Sequence, residues 1–211
     1  MFLLGKKIEF PDVELASPDG ILAIGGDLSP ERLLLAYQRG IFPWFSEGEP
    51  IVWYSPEKRM VLFPKELKVS KSMKQLIRKE TYRITWNQNF EDVIEACQAS
   101  PRKDQDGTWI TEEMRRAYIR LHELGHAKSV EVWRDEELVG GLYGIDLGHV
   151  FCGESMFSRE SNTSKLAFIN LVQELERENY RLIDCQIYTA HLASLGAREI
   201  PRKEFTKLLT A

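Results

Sequence analysis

Cysteine is scarce and carries no pattern: Cys97, Cys152 and Cys185 lie far apart and form no CxxC. That argues against a disulfide framework or a structural zinc site. Long apolar runs are missing too. The only apolar stretch near the start, in MFLLGKKIEFPD, is too short for a signal peptide and is followed by its charges, so neither export nor a membrane span is expected and the cytoplasm is. There is no repeat or low-complexity tract. An excess of one charge is lacking as well, since the net value over 211 residues is −4, which argues against indiscriminate nucleic-acid binding. A chain with 43% hydrophobic and 28% charged residues is ordinary globular material, long enough for one large domain or two small ones.

The balanced total conceals a local asymmetry. Between Lys58 and Arg83 nine basic residues face only Glu66 and Glu80, a surplus of seven. Within SKSMKQLIRK, Lys71, Lys74 and Arg78 fall on one helix face and Met73, Leu76 and Ile77 on the other. Such a stripe is either a solvated face or a contact for a phosphate backbone.

Caps and breakers divide the chain. Ser29-Pro30-Glu31 opens a helix over 30–39 that Gly40 ends. Prolines at 43, 50 and 56 among Phe42, Trp44, Phe45, Trp53 and Tyr54 read as an aromatic-rich loop with a short strand. Helices are then expected over 70–79, 89–99 and 111–124. Three strand-like runs, SVEVWRD, ELVGGLYGID and HVFCGESMF, read as an antiparallel meander. A helix over 164–179 crosses to the strand LIDCQIY and a parallel partner. The fold class is therefore α+β (mixed α/β), divided near residue 57 into a small N-terminal domain (1–57) and a larger unit (58–211).

Chemistry concentrates near the end. In LIDCQIY the period of two puts Leu182, Asp184, Gln186 and Tyr188 on one face. Glu154 comes from the preceding strand, on the face assigned to Cys152 and Met156. A buried acid needs a partner or a reaction, and spacing alone fits equally an Asp184 paired with a buried basic group. The literal H-E-x-x-H of His122 to His126 reads as accidental, because Gly125 ends the helix that both imidazoles would need to share. Strand cysteines 152 and 185 read as inert core more than as nucleophiles. Trp44 and Trp109, each in a loop-like context, are either core anchors or stacking platforms.

Taken together, DGILAIGGDLSPERLLLAYQRGIFPWFSEGEP, GTWI, RLHELGHAKSVEVWRDEELVGGLYG, FCGESMFSR, LIDCQ and HLASLGAREIPR resemble the bacterial leucyl/phenylalanyl-tRNA–protein transferases over nearly the whole chain. The resemblance implies a C-terminal domain with the acyltransferase fold of the GCN5-related N-acetyltransferases. It implies transfer of Leu or Phe, less often Met, from aminoacyl-tRNA to the α-amino group of proteins beginning with Arg or Lys, marking them for degradation. It assigns Asp184 and Gln186 to the attacking amine, Glu154 to the acceptor's N-terminus or the donor's amino group, and Trp44 and Trp109 to the 3′-terminal adenosine. Lys71, Lys74 and Arg78 would approach the tRNA acceptor stem. An apolar donor pocket is expected from Met156, Phe151, Phe168, Leu171 and Ile183, each of which also suits plain core. No metal, cofactor or membrane is implied, since an aminoacyl ester is already activated. A coenzyme A-dependent acetyltransferase would need a Gly-rich turn, where this chain reads SRESNTSK. A non-catalytic tRNA- or peptide-binding module would leave the acid–amide strand unexplained.

Overall fold

The computed structural model describes residues 2–100 and 110–210. Eleven strands and seven α-helices are seen among them: β1 (Phe2–Leu4), β2 (Ile21–Gly25), α1 (Pro30–Gln38), β3 (Phe42–Pro43), β4 (Val52–Tyr54), β5 (Lys58–Leu62), α2 (Lys71–Arg78), β6 (Arg83–Trp86), α3 (Phe90–Ala99), α4 (Glu112–Glu123), β7 (Ala127–Arg134), β8 (Glu137–Asp146), β9 (Val150–Ser158), α5 (Thr163–Arg177), β10 (Leu182–Gln186), α6 (Ala190–Ser194), β11 (Arg198–Pro201) and α7 (Arg202–Thr210). They form a four-stranded sheet, β1-β2-β4-β3, and a seven-stranded sheet, β11-β5-β10-β9-β8-β7-β6. The mixed α/β class is as expected.

Local chemistry explains the helix ends. The Ser70 hydroxyl caps α2 by accepting from the Met73 N–H, and Thr111 caps α4 through Met114; such caps stabilise a helix by about 1 kcal/mol each. Gly125, at φ +83°, turns the chain out of α4 in a conformation that suits glycine. As expected, β7, β8 and β9 form an antiparallel meander and α5 carries the chain to β10, parallel to β9. The large sheet is covered on both faces. One face packs with α3, α4 and the N-terminal residues around Tyr37, Tyr118 and Tyr143, and the other packs under α5 around Leu166, Phe168 and Val172. Gly144 permits a close approach within β8, since a Cβ there would lie 2.3 Å from the Cys152 carbonyl oxygen and 2.5 Å from the Phe151 ring.

Two features differ from the sequence expectation. Strands β6 and β11 occupy the edges of the large sheet, where four-residue runs paired on one side only leave little periodic signal. Arg59, part of the basic surplus, is 1% exposed and adds nothing to a surface stripe.

Candidate active site

Strands β9 and β10 pair at Leu182–Val150, Ile183–Phe151 and Asp184–Cys152, and then separate. A bulge in each strand sits at that point. Against β8 the register passes from Gly144–Gly153 to Tyr143–Ser155, leaving Glu154 as an extra residue. Against β5 it passes from Asp184–Val61 to Gln186–Met60, leaving Cys185 extra. Bulges bend a strand and re-aim side chains. Here they bring two polar groups together, with Gln186 Nε2 donating to Glu154 Oε1 at 2.7 Å. Gln186 holds a left-handed φ of +63°, a conformation that costs a non-glycine residue about 1–2 kcal/mol.

The bulges overturn part of the face assignment. Cys152 packs in the core on the α3/α4 side, while Met156, beyond the extra residue, packs on the α5 side; Glu154 therefore does not belong to a face common to both. The alternation Leu182, Asp184 holds, but Gln186 ends β10 and Tyr188 stands 59% exposed outside the strand.

Asp184 has no exposed surface. Arg59 grips it twice, Nε to Oδ1 at 2.8 Å and Nη2 to Oδ2 at 2.6 Å, while the Gln186 main-chain N–H donates to Oδ1 at 2.9 Å. Asp184 holds the backbone of Gln186, and Glu154 holds its amide. Arg59 Nη1 also donates to the Gly40 carbonyl at 3.2 Å, and the guanidinium carbon lies 4.7 Å from the ring centres of both Phe42 and Phe205.

Glu154 has no basic partner among the described residues. Its Oε2 accepts from the Tyr118 hydroxyl at 3.1 Å, and Tyr118 shares a short hydrogen bond with the Tyr37 hydroxyl. Burial pushes the Glu154 carboxyl up to about 7, and the nearby Asp184 charge adds to this while hydrogen bonds from the tyrosines and Gln186 pull the other way. Both phenols are driven well above their ordinary range, chiefly by burial. They are neutral donors throughout the physiological range.

Between the separated strands lies a cavity of about 400 Å³. Met156, Phe168, Leu171, Ile183 and Leu142 form an apolar wall, Phe42 and Trp44 contribute aromatic rings, and Glu154 and Gln186 present the polar edge. A mostly apolar cavity of this size with few convergent polar groups suits one small apolar moiety carrying a reactive end. Two expected members stand elsewhere. Phe151 is buried in the core under α5, and Asp184 lies behind the cavity wall. Trp109 falls outside the described residues. Thr189, His191 and Leu192 also line the cavity; they lie in and just before the short helix α6. Tyr37, Tyr118 and Arg59 were not singled out because an isolated tyrosine in a helix and one arginine within a basic stretch look like ordinary structure.

The remaining candidates resolve simply. His122 Nδ1 lies 2.8 Å from the Ala127 carbonyl and its ring stacks on Phe90 at 4.3 Å, whereas His126 follows the helix end. Burial pushes the thiols of Cys152 and Cys185 well up, with Asp184 adding to the effect, so neither is suited to be a thiolate nucleophile. Lys71, Lys74 and Arg78 are exposed on one side of α2, with Met73 buried on the other. At the start of α5 the Ser164 N–H is taken by the Ser158 hydroxyl, and the turn before it carries no glycine.

The family model for leucyl/phenylalanyl-tRNA protein transferase matches residues 61–210, and the model for that family's N-terminal domain matches residues 26–57. The chain is 61% identical over 209 residues to the leucyl/phenylalanyl-tRNA–protein transferase of Flavobacterium johnsoniae, covering 99% of each. It is 61% identical over 206 residues to that of Syntrophus aciditrophicus, covering 98% of this chain and 86% of the relative. Similar solved structures are distant. A conserved Staphylococcus epidermidis protein of unknown function has a TM-score of 0.47 at 14% identity, covering 86% of this chain and 68% of its own. A GCN5-related N-acetyltransferase from Kribbella flavida has a TM-score of 0.39 at 10% identity, covering 85% of this chain and 63% of its own. The chain is a transferase that belongs to the leucyl/phenylalanyl-tRNA–protein transferase family.

Proposed function

We propose that this protein moves leucine or phenylalanine, and less readily methionine, from aminoacyl-tRNA to the α-amino group of proteins beginning with Arg or Lys, so marking them for degradation in the cytoplasm. The observation that carries this reading is the Gln186–Glu154 hydrogen bond at the polar edge of an apolar cavity. The donor side chain occupies the wall formed by Met156, Phe168, Leu171 and Ile183. Its ester carbonyl faces the polar edge, and Trp44, with Trp109, stacks on the terminal adenosine. Lys71, Lys74 and Arg78 meet acceptor-stem phosphates. No described helix is long and apolar enough to cross a membrane. The division into domains 1–57 and 58–211 would separate the aromatic-rich segment from the acyl-transfer unit.

Because the Gln186 nitrogen faces Glu154, its Oε1 is the end that accepts a hydrogen bond from the attacking amine. The neutral amine attacks the ester carbonyl, the new C–N bond forms as the bond to the 3′-oxygen breaks, and the amine proton ends on that leaving oxygen. Alignment of amine and ester can supply several kcal/mol of rate enhancement. The Glu154 carboxylate favours a cationic acceptor end, which supports the Arg/Lys preference.

The test is a transfer assay with labelled Leu-tRNA and peptides beginning with Arg or Ala, run beside acetyl-CoA as an alternative donor. Transfer to the Arg peptide alone is expected. Acetylation, or equal use of the Ala peptide, would overturn the reading.

A further inference from the structure

We propose that Arg59 is a positioning residue for the transfer: through Asp184 it fixes the left-handed backbone of Gln186, and by occupying both Asp184 oxygens it removes that carboxylate from the proton's path. The inference deepens the proposed function and rests on its placement of Gln186.

The geometry is a relay of contacts leading from the N-terminal region to the cavity. Arg59 is the second residue of β5 and is anchored by the Gly40 carbonyl and by the rings of Phe42 and Phe205, which come from β3 and α7. Its forked N–H groups match the two Asp184 oxygens as only a guanidinium can. Asp184 then accepts the Gln186 N–H at 2.9 Å, immediately where β10 bulges. Three N–H groups thus donate to one carboxylate. Asp184 itself does not line the cavity, so the amine proton ends on the leaving 3′-oxygen. Gln186 is bound from two sides, by Asp184 at its backbone and by Glu154 at its amide. Loss of the backbone hold leaves the amide free to follow the strand into a lower-energy conformation and moves Oε1 out of line with the ester.

The deciding experiment compares R59K and the double variant R59M/D184N with wild type. R59K keeps a cation beside Asp184 but cannot make the paired contacts and the bond to Gly40 together. It should lower kcat by about 10²-fold, the loss typical of misplaced catalytic groups, with KM for Leu-tRNA within about threefold of wild type and an unmoved pH profile of kcat. R59M/D184N removes both charges, strands neither, and should fold stably while remaining slow. Wild-type kcat in R59K, a rise in KM with kcat unchanged, or recovery of kcat in the double variant would each overturn the role of Arg59, the last by reducing it to charge compensation. A shifted pH profile in R59K would return Asp184 to the proton's path. If wild type itself fails to transfer leucine to the Arg peptide, it is the proposed function that falls.

Discussion

The two walls of the strand opening carry one carboxylate each, and the two are treated oppositely. On the β10 side Asp184 is buried against a guanidinium that meets both its oxygens. On the β9 side Glu154 is cushioned by neutral phenols and an amide, and burial lifts it to about 7. One carboxylate is held by a guanidinium, while the other has no basic partner among the described residues and is pushed up by burial. The two environments separate the roles of the two groups, and Gln186, bonded to both, is where the roles join.

The largest expected effect comes from breaking the β10 wall. D184A strands the Arg59 guanidinium and should cost about 3–5 kcal/mol of stability, read as a lower denaturant midpoint. Q186A cuts the link between the walls and leaves both acids in place; kcat should fall about 10²–10⁴-fold, measured in single-turnover transfer with folding intact. The β9 wall is sharpened by E154Q. A carboxyl that ordinarily titrates near 4.5 but here near 7 stabilises the fold below its unfolded value, and that contribution is lost as pH rises through 7. Wild type should lose at most roughly 3–4 kcal/mol relative to E154Q between those values, seen in denaturation at stepped pH. M156F, farther along β9, should change the ratio of leucine to phenylalanine transfer by about 1–3 kcal/mol in competition assays; an unchanged ratio removes Met156 from the donor pocket. Y118F removes one neutral donor from Glu154 and should cost about 1 kcal/mol, with the pH-dependent loss of stability displaced to higher pH.

Much of the frame was legible because its signals are local. Ser70 and Thr111 announce helices, Gly125 closes one, and a meander followed by a long helix implies the parallel pair at β9 and β10. Asp184, Gln186 and Glu154 stood out as polar groups inside strand-like runs. What could not be read was pairing across distance. Arg59 lies 125 residues from Asp184, and in sequence it looked like one more member of a basic stretch. Tyr37 and Tyr118 meet 81 residues apart. The facing of Glu154 and Met156 was misjudged for another reason: a period of two assumes an unbroken ladder, and the register shift opposite Gly144 exists only once β8 is alongside.

That single surplus residue in β9 has a consequence for how the strand is used. A strand counts in twos, so an extra residue at 154 reverses parity for everything after it and lets one short run serve both sides of the sheet. Substituting Glu154 changes one group; deleting it would close the bulge, keep the pairs of Ser155, Met156 and Phe157 with β8, and remove the carboxylate that holds the Gln186 amide.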